Sequence, residues 1–358
     1  MEEAREKIQL KLSPQAEKYA RRDAPVEVRR MAARGALPLP PLELATVLFA
    51  LMHDSDAEVK SRARDTLEKL PDPVTDAVLT GAAHPALLDH LAHVNAEREA
   101  RIEKIALNPA AADATIAFLA ERPFRRVVEI ISNNQERMLR HSPIVDALGA
   151  NPLTGRAVID RIFSFLGIDE APDDEAPASS EAVGDEQMRA ALAAIFGEDL
   201  SGIPAALLDE NAEASPEDVA AGGNLYALVQ NMTVFQKIKL GRMGNKEART
   251  LLVRDRNKIV AIAAVTSPKI TENELLSIAQ SRNVSDEVIR SVANNREVTR
   301  HYMVKLALAT NPKTPQAVAM GFVNYLQEKD LRNLMKSKDV PSMIATHARR
   351  ILSKKGKV

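Results

Sequence analysis

The feature that most limits what this chain can fold into is that it repeats itself. Lys104-Ile-Ala-Leu-Asn108-Pro109 lines up with Ala263-Ala-Val-Thr-Ser267-Pro268. Ile130-Ile-Ser-Asn133-Asn134-Gln-Glu136 lines up with Ser291-Val-Ala-Asn294-Asn295-Arg-Glu297, and Ala147-Leu-Gly-Ala-Asn151-Pro152-Leu-Thr154 with Ala307-Leu-Ala-Thr-Asn311-Pro312-Lys-Thr314. The offsets are 159, 161 and 160 residues, so a duplicated block of roughly 60 residues with one or two single-residue gaps accounts for all three. A shorter echo, Asp23-Ala-Pro-Val-Glu-Val28-Arg-Arg-Met-Ala32 against Asp54-Ser-Asp-Ala-Glu-Val59-Lys-Ser-Arg-Ala63, has an offset of 31. Units this short cannot each bury an apolar face alone, so they must stack.

The punctuation between units is helical. Apolar residues recur at three- and four-residue spacing, as in Ile270, Leu275, Ile278 and Ala279 and then Val284, Val288, Ile289 and Val292. Asn-Pro, Ser-Pro and Asp turns separate these runs, supplying caps and first-turn prolines. Alternating β-branched runs and Asn-Gly hairpin signals are missing. The Asn311-Pro312-x-Thr314-Pro315-x-x-Val318 turn resembles the leucine-rich-variant repeat, and the Asp-x-x-x-Glu-Val-x-x-x-Ala units resemble HEAT-type repeats. The resemblance covers roughly 20–165 and 235–350. It implies an all-α, right-handed α-solenoid of short helical repeats in two related blocks.

Composition separates those blocks. The 358 residues hold 48 Lys+Arg and 49 Asp+Glu, but residues 1–168 carry 23 basic and 24 acidic side chains, 169–233 carry 1 and 15, and 234–358 carry 24 and 10. The expected organisation is therefore a neutral repeat block (1–168), an acidic linker of disordered composition (169–187), an acidic short-helix segment (188–233) and a basic repeat block (234–358). In the third, Met188, Leu192, Ile195 and Phe196 share one helical face, Ser215 opens a further helix, and Gly222-Gly223 interrupts it.

Much is excluded. With no Cys there are no disulfides, thiolate zinc sites, iron–sulfur clusters or Cys nucleophiles, which suits a reducing cytoplasm; the iron–sulfur module associated with the leucine-rich-variant family has no ligands here. The N-terminus lacks a signal-peptide core, and the longest apolar run, Leu44 to Met52, is about half a membrane span. No phosphate loop, nucleophile elbow or His-Glu-x-x-His is present. Gly241-Arg-Met-Gly244-Asn-Lys246 has the wrong spacing for a phosphate loop and reads as a turn between helices. His84, Asp89, His90 and His93 could form part of a metal site but read better as a solvent-facing helical cluster, so no metal or cofactor is expected.

The strongest functional lead is basic. Lys237, Lys239, Arg242, Lys246, Arg249, Arg254, Arg256 and Lys258 fall within 22 residues, and Arg242, Lys246 and Arg249 have the spacing of one helix face. Arg300, in an Arg300-His301 pair that repeats Arg140-His141, joins them as a candidate. The expectation is a non-enzymatic scaffold or adaptor presenting an extended face to a protein partner, with the acidic segment pairing intramolecularly with the basic block. The alternative is nucleic-acid or other polyanion binding through 234–358. A HEAT-like alkylpurine DNA glycosylase is a distant third, because the chain has no Trp and nominates no Asp framed by aromatics.

Overall fold

A computed structural model describes residues 10–166, 229–337 and 340–354, and among these the regular structure is entirely helical. The acidic linker, the Met188–Phe196 face, Ser215 and the glycine pair lie outside the described residues. The chain divides into two compact units, Met1–Arg161 and Ile162–Val358.

In the first unit the helices are α1 (Pro14–Ala20), α2 (Val26–Ala33), α3 (Pro41–Leu51), α4 (Ala57–Glu68), α5 (Asp72–Thr80), α6 (Pro85–Val94), α7 (Glu99–Leu107), α8 (Asp113–Ala120), α9 (Arg125–Ser132), α10 (Gln135–Arg140) and α11 (Pro143–Ala150); α12 (Arg156–Phe165) spans the division. Proline at the first turn of α1, α3, α5, α6 and α11 starts helices where no N–H partner is needed. Packing skips a helix: α1 meets α3, α3 meets α5, α5 meets α7 and α7 meets α9, while α2 meets α4, α6 meets α8 and α8 meets α11. Two layers result, because each short helix has one apolar stripe and must share it with both neighbours in its own layer and with the other layer. In α9 that stripe is Val127, Val128 and Ile131, all buried.

The second unit contains α13 (Val234–Met243), α14 (Lys246–Leu252), α15 (Lys258–Val265), α16 (Glu272–Gln280), α17 (Asp286–Asn294), a 3-10 turn (Val298–Arg300), α18 (Tyr302–Thr310), α19 (Gln316–Val323), α20 (Glu328–Lys336) and α21 (Ser342–Lys354). Again α13 meets α15, α15 meets α17 and α19 meets α21 in one layer, while α16 meets α18 in the other. The duplicated sequence recurs as duplicated structure: α7 to α12 correspond in order to α15, α16, α17, the 3-10 turn, α18 and α19. The predicted stripe Val284, Val288, Ile289 and Val292 is buried.

Side chains clamp both ends of helices within a layer. Helix C-termini leave carbonyls without partners, and here the turn after the next helix supplies donors. Asn108 Nδ2 donates to Leu79 O (2.7 Å) and Gly81 O (2.9 Å). Asn151 Nδ2 donates to Ala120 O (2.7 Å) and Arg122 O (2.8 Å), and Asn311 Nδ2 to Ala279 O (2.7 Å) and Ser281 O (2.9 Å). Ser267, at the position of Asn108 in the second copy, donates from Oγ to Arg242 O at 2.6 Å. Each Asn also accepts, through Oδ1, from the backbone N–H two residues on, at 2.9 Å. The Asn-Pro turns are thus fasteners between helices as well as turns.

The opposite ends are fastened through carboxylates. Asp72, Asp113, Glu272 and Asp286 each open a helix, where the N-terminal partial charge favours an acid. Asp72 pairs with Arg101, Asp113 with Arg140 (2.6 Å), Glu272 with His301 (2.9 Å) and Asp286 with Lys313 (4.0 Å). The repeated Arg-His pair is explained here: Arg140 in the first copy and His301 in the second hold the carboxylate that begins the preceding helix of their layer. Asn134 and Asn295 accept helix-starting N–H groups.

Candidate partner-binding groove

The basic cluster is built around a floor rather than spread over one face. Thr233 and Gln236 form a capping box that starts α13, and Gly244 ends it. Asn245 then starts α14 by accepting from Ala248 N. The break at Gly244 places Arg242 on α13 and Lys246 and Arg249 on α14, so the three do not share one helix face. Arg249 points inward: Nε donates to Glu274 Oε1 at 2.9 Å and Nη2 to Oε2 at 3.1 Å, while Nη1 donates to Gly244 O at 2.8 Å. Glu274 also closes the α16 capping box with Thr271, accepting its N–H at 2.9 Å and its hydroxyl at 2.8 Å. Burial raises the Glu274 carboxyl's affinity for a proton. The Arg249 and Thr271 hydrogen bonds outweigh this and hold it below the usual carboxylate range.

The other candidates divide in the same way. Arg242 donates to Thr266 O at 2.5 Å. Lys237 pairs with Asp255 at 3.3 Å, with both side chains mostly covered. Lys258 is buried, and burial lowers its pKa despite Glu287; Lys239 is half-covered and is lowered by burial too. Lys246, Arg254, Arg256 and Arg300 are exposed, and among the described residues none of the four has an ion-pair partner. Five of the nine predicted residues thus belong to the interior or its border, and four face solvent.

Two of those four flank a cleft of about 170 Å³ between α14 and α16. One wall carries Lys246, Thr250 and Arg254; the other carries Asn273, Ser277 and Ser281. Lys246 and Thr250 stand one turn apart on α14 and Asn273 and Ser277 one turn apart on α16, while Arg254 and Ser281 lie just past the ends of those helices. Val253, Ile270, Ile278 and Val284 supply its apolar lining, and the Arg249–Glu274 pair lines it too. Asn273 and Ser277 have no side-chain hydrogen bond among the described residues, leaving donors and acceptors toward the cleft. The only acid in the lining, Glu274, is consumed by Arg249 and Thr271. Sequence reading missed the second wall, because three neutral polar residues on a helix carry no signal until the facing helix is placed.

The histidine cluster separates. His84 accepts from Ala86 N as a cap, His93 stacks on Phe118 with ring centres 3.9 Å apart, and Asp89 accepts from Thr115 Oγ1 at 2.7 Å. His90 turns toward Phe49, and burial lowers its pKa. Among the described residues no three His, Cys, Asp or Glu side chains come together as a metal site would need. No described helix is long and apolar enough to cross a membrane. The chain matches no family model, no curated protein and no solved structure.

Proposed function

We propose that this protein is a non-enzymatic adaptor: a HEAT-like helical solenoid whose α14–α16 cleft presents a fixed face to an acidic segment of a protein partner. The observation carrying this reading is that Lys246 and Arg254 stand exposed, without counter-ions, on one wall of a formed cleft. Same-layer packing, with fasteners at both ends of the helices, supports a solenoid. Such a scaffold has little conformational freedom left to lose, so the partner's ordering dominates the entropic cost of association.

The test uses the tagged full-length chain against lysate of its source cells, with and without nuclease, followed by partner identification. A protein retained by wild type, resistant to nuclease and lost with Lys246→Gln/Arg254→Gln is expected, while Arg349→Gln/Arg350→Gln on α21 keeps it. Capture abolished by nuclease alone would replace this reading with nucleic-acid binding. A partner retained equally by all variants would remove the cleft from the interface.

A further inference from the structure

We propose that the α14–α16 cleft binds an extended peptide with the pattern acidic–x–apolar–x–acidic. This rests on the adaptor reading and specifies what the face recognises. Lys246 opens α14 and Arg254 lies in the turn that continues it, its N–H bonded to Leu251 O, so the two stand roughly 12 Å apart along that direction. An extended peptide advances about 3.3 Å per residue, so positions i and i+4 lie about 13 Å apart and match that separation. In an extended chain i, i+2 and i+4 point to the same side. A peptide that sets its two carboxylates against Lys246 and Arg254 therefore directs its middle side chain to the same side, past Thr250 into the cleft. There the cleft offers about 170 Å³ over Val253, Ile270, Ile278 and Val284. A dry cavity of about 150 Å³ accepts a benzene-sized group, so one leucine or methionine side chain fits.

The opposite wall selects for extended backbone. Asn273 and Ser277 offer unspent donors and acceptors beside the cleft. A helical peptide has its own N–H and C=O groups already paired, and only an extended one leaves them free to bond there. The buried Arg249–Glu274 fork ties α14 to α16 at the cleft itself.

The experiment measures fluorescence anisotropy of a labelled Ser-Glu-Ala-Leu-Ala-Glu-Ser peptide. The receptor is the full-length chain carrying Glu181→Gln and Asp185→Asn, which removes a stretch of its own sequence (Glu181-Ala-Val183-Gly-Asp185) with the same spacing. Saturable binding is expected, weakened about three- to tenfold by Lys246→Gln or by Arg254→Gln, and about tenfold by Leu→Ser in the peptide. A peptide of identical composition with the carboxylates adjacent should bind at least tenfold more weakly. Equal affinity for the two peptides, equal affinity of the Lys246→Gln/Arg254→Gln chain, or no saturation by about 1 mM overturns the proposal. If the peptide result fails while a cellular partner is still lost with the double substitution, the adaptor reading survives and only the peptide pattern falls.

Discussion

At the scale of single residues, polar side chains decide how neighbouring helices are held. Asn151→Ala leaves two helix-end carbonyls in a buried setting without a donor, a cost of about 1–3 kcal/mol; Asn294→Ala, at an exposed position of the paired asparagines, should change stability by less than about 0.5 kcal/mol. Urea denaturation followed by circular dichroism measures both. Two further residues set a pH response. The His90 pKa is lowered by burial, with Glu68 and Asp89 opposing and Arg64 and His93 reinforcing. Folding therefore disfavours the protonated ring. Stability should be fully present above the ordinary value of 6.5 and decline as pH falls through it, levelling off below the folded value. Thermal melts between neutral and mildly acidic pH check this, and His90→Phe should flatten the slope in that window. Glu274 acts at lower pH: its folded pKa lies below the ordinary 4.5, so its contribution exists above 4.5 and disappears as pH drops through the folded value. Glu274→Gln should lose that acid-limb dependence.

Among the helices, α15 shows what the sequence disclosed and what it withheld. The apolar run Ile259–Val265 is plain in its sequence, but the covering of Lys258 beside it, a residue expected on the binding face, is not. The role of Gly241 is not legible, because it depends on a helix distant in sequence. Gly241 sits within α13 rather than in the turn, and a Cβ there would meet Ala264 N at 3.1 Å and Cα at 3.3 Å. The glycine lets α13 lie directly on α15. Gly241→Leu should cost about 1–3 kcal/mol and clearly more than Gly241→Ala, whose gain in helix propensity of about 1 kcal/mol offsets its contact with α15, read from urea denaturation. The cleft shows the same limit. Lys246 and Arg254 were visible as charges, but Arg249 beside them has the same chemistry and points inward. Only the position of Glu274 on α16 separates them. Repeats, periodicity and caps report on local structure; which cation is paired depends on a contact 25 residues away.

For the whole molecule, net charge is a poor guide to available charge. Residues 234–358 hold 24 basic side chains, yet within the predicted cluster much of that charge serves the fold. On a heparin column the full-length chain with Lys246, Arg254, Arg256 and Arg300 changed to Gln should elute at lower salt than wild type, with an unchanged melting temperature. Lys237→Gln, which breaks the pair with Asp255, should barely move elution but lower the melting temperature. An unchanged elution position for the fourfold variant would show that the exposed cations do not account for polyanion affinity.

The asparagine fasteners have a direction. In each, the donor follows the later helix and the accepting carbonyls lie at or just past the end of the earlier one, 27 to 32 residues before. A ribosome delivers the chain from its N-terminus, so every docking edge is complete before the segment that recognises it emerges. At these three turns, then, the asparagine meets carbonyls that have already been synthesised.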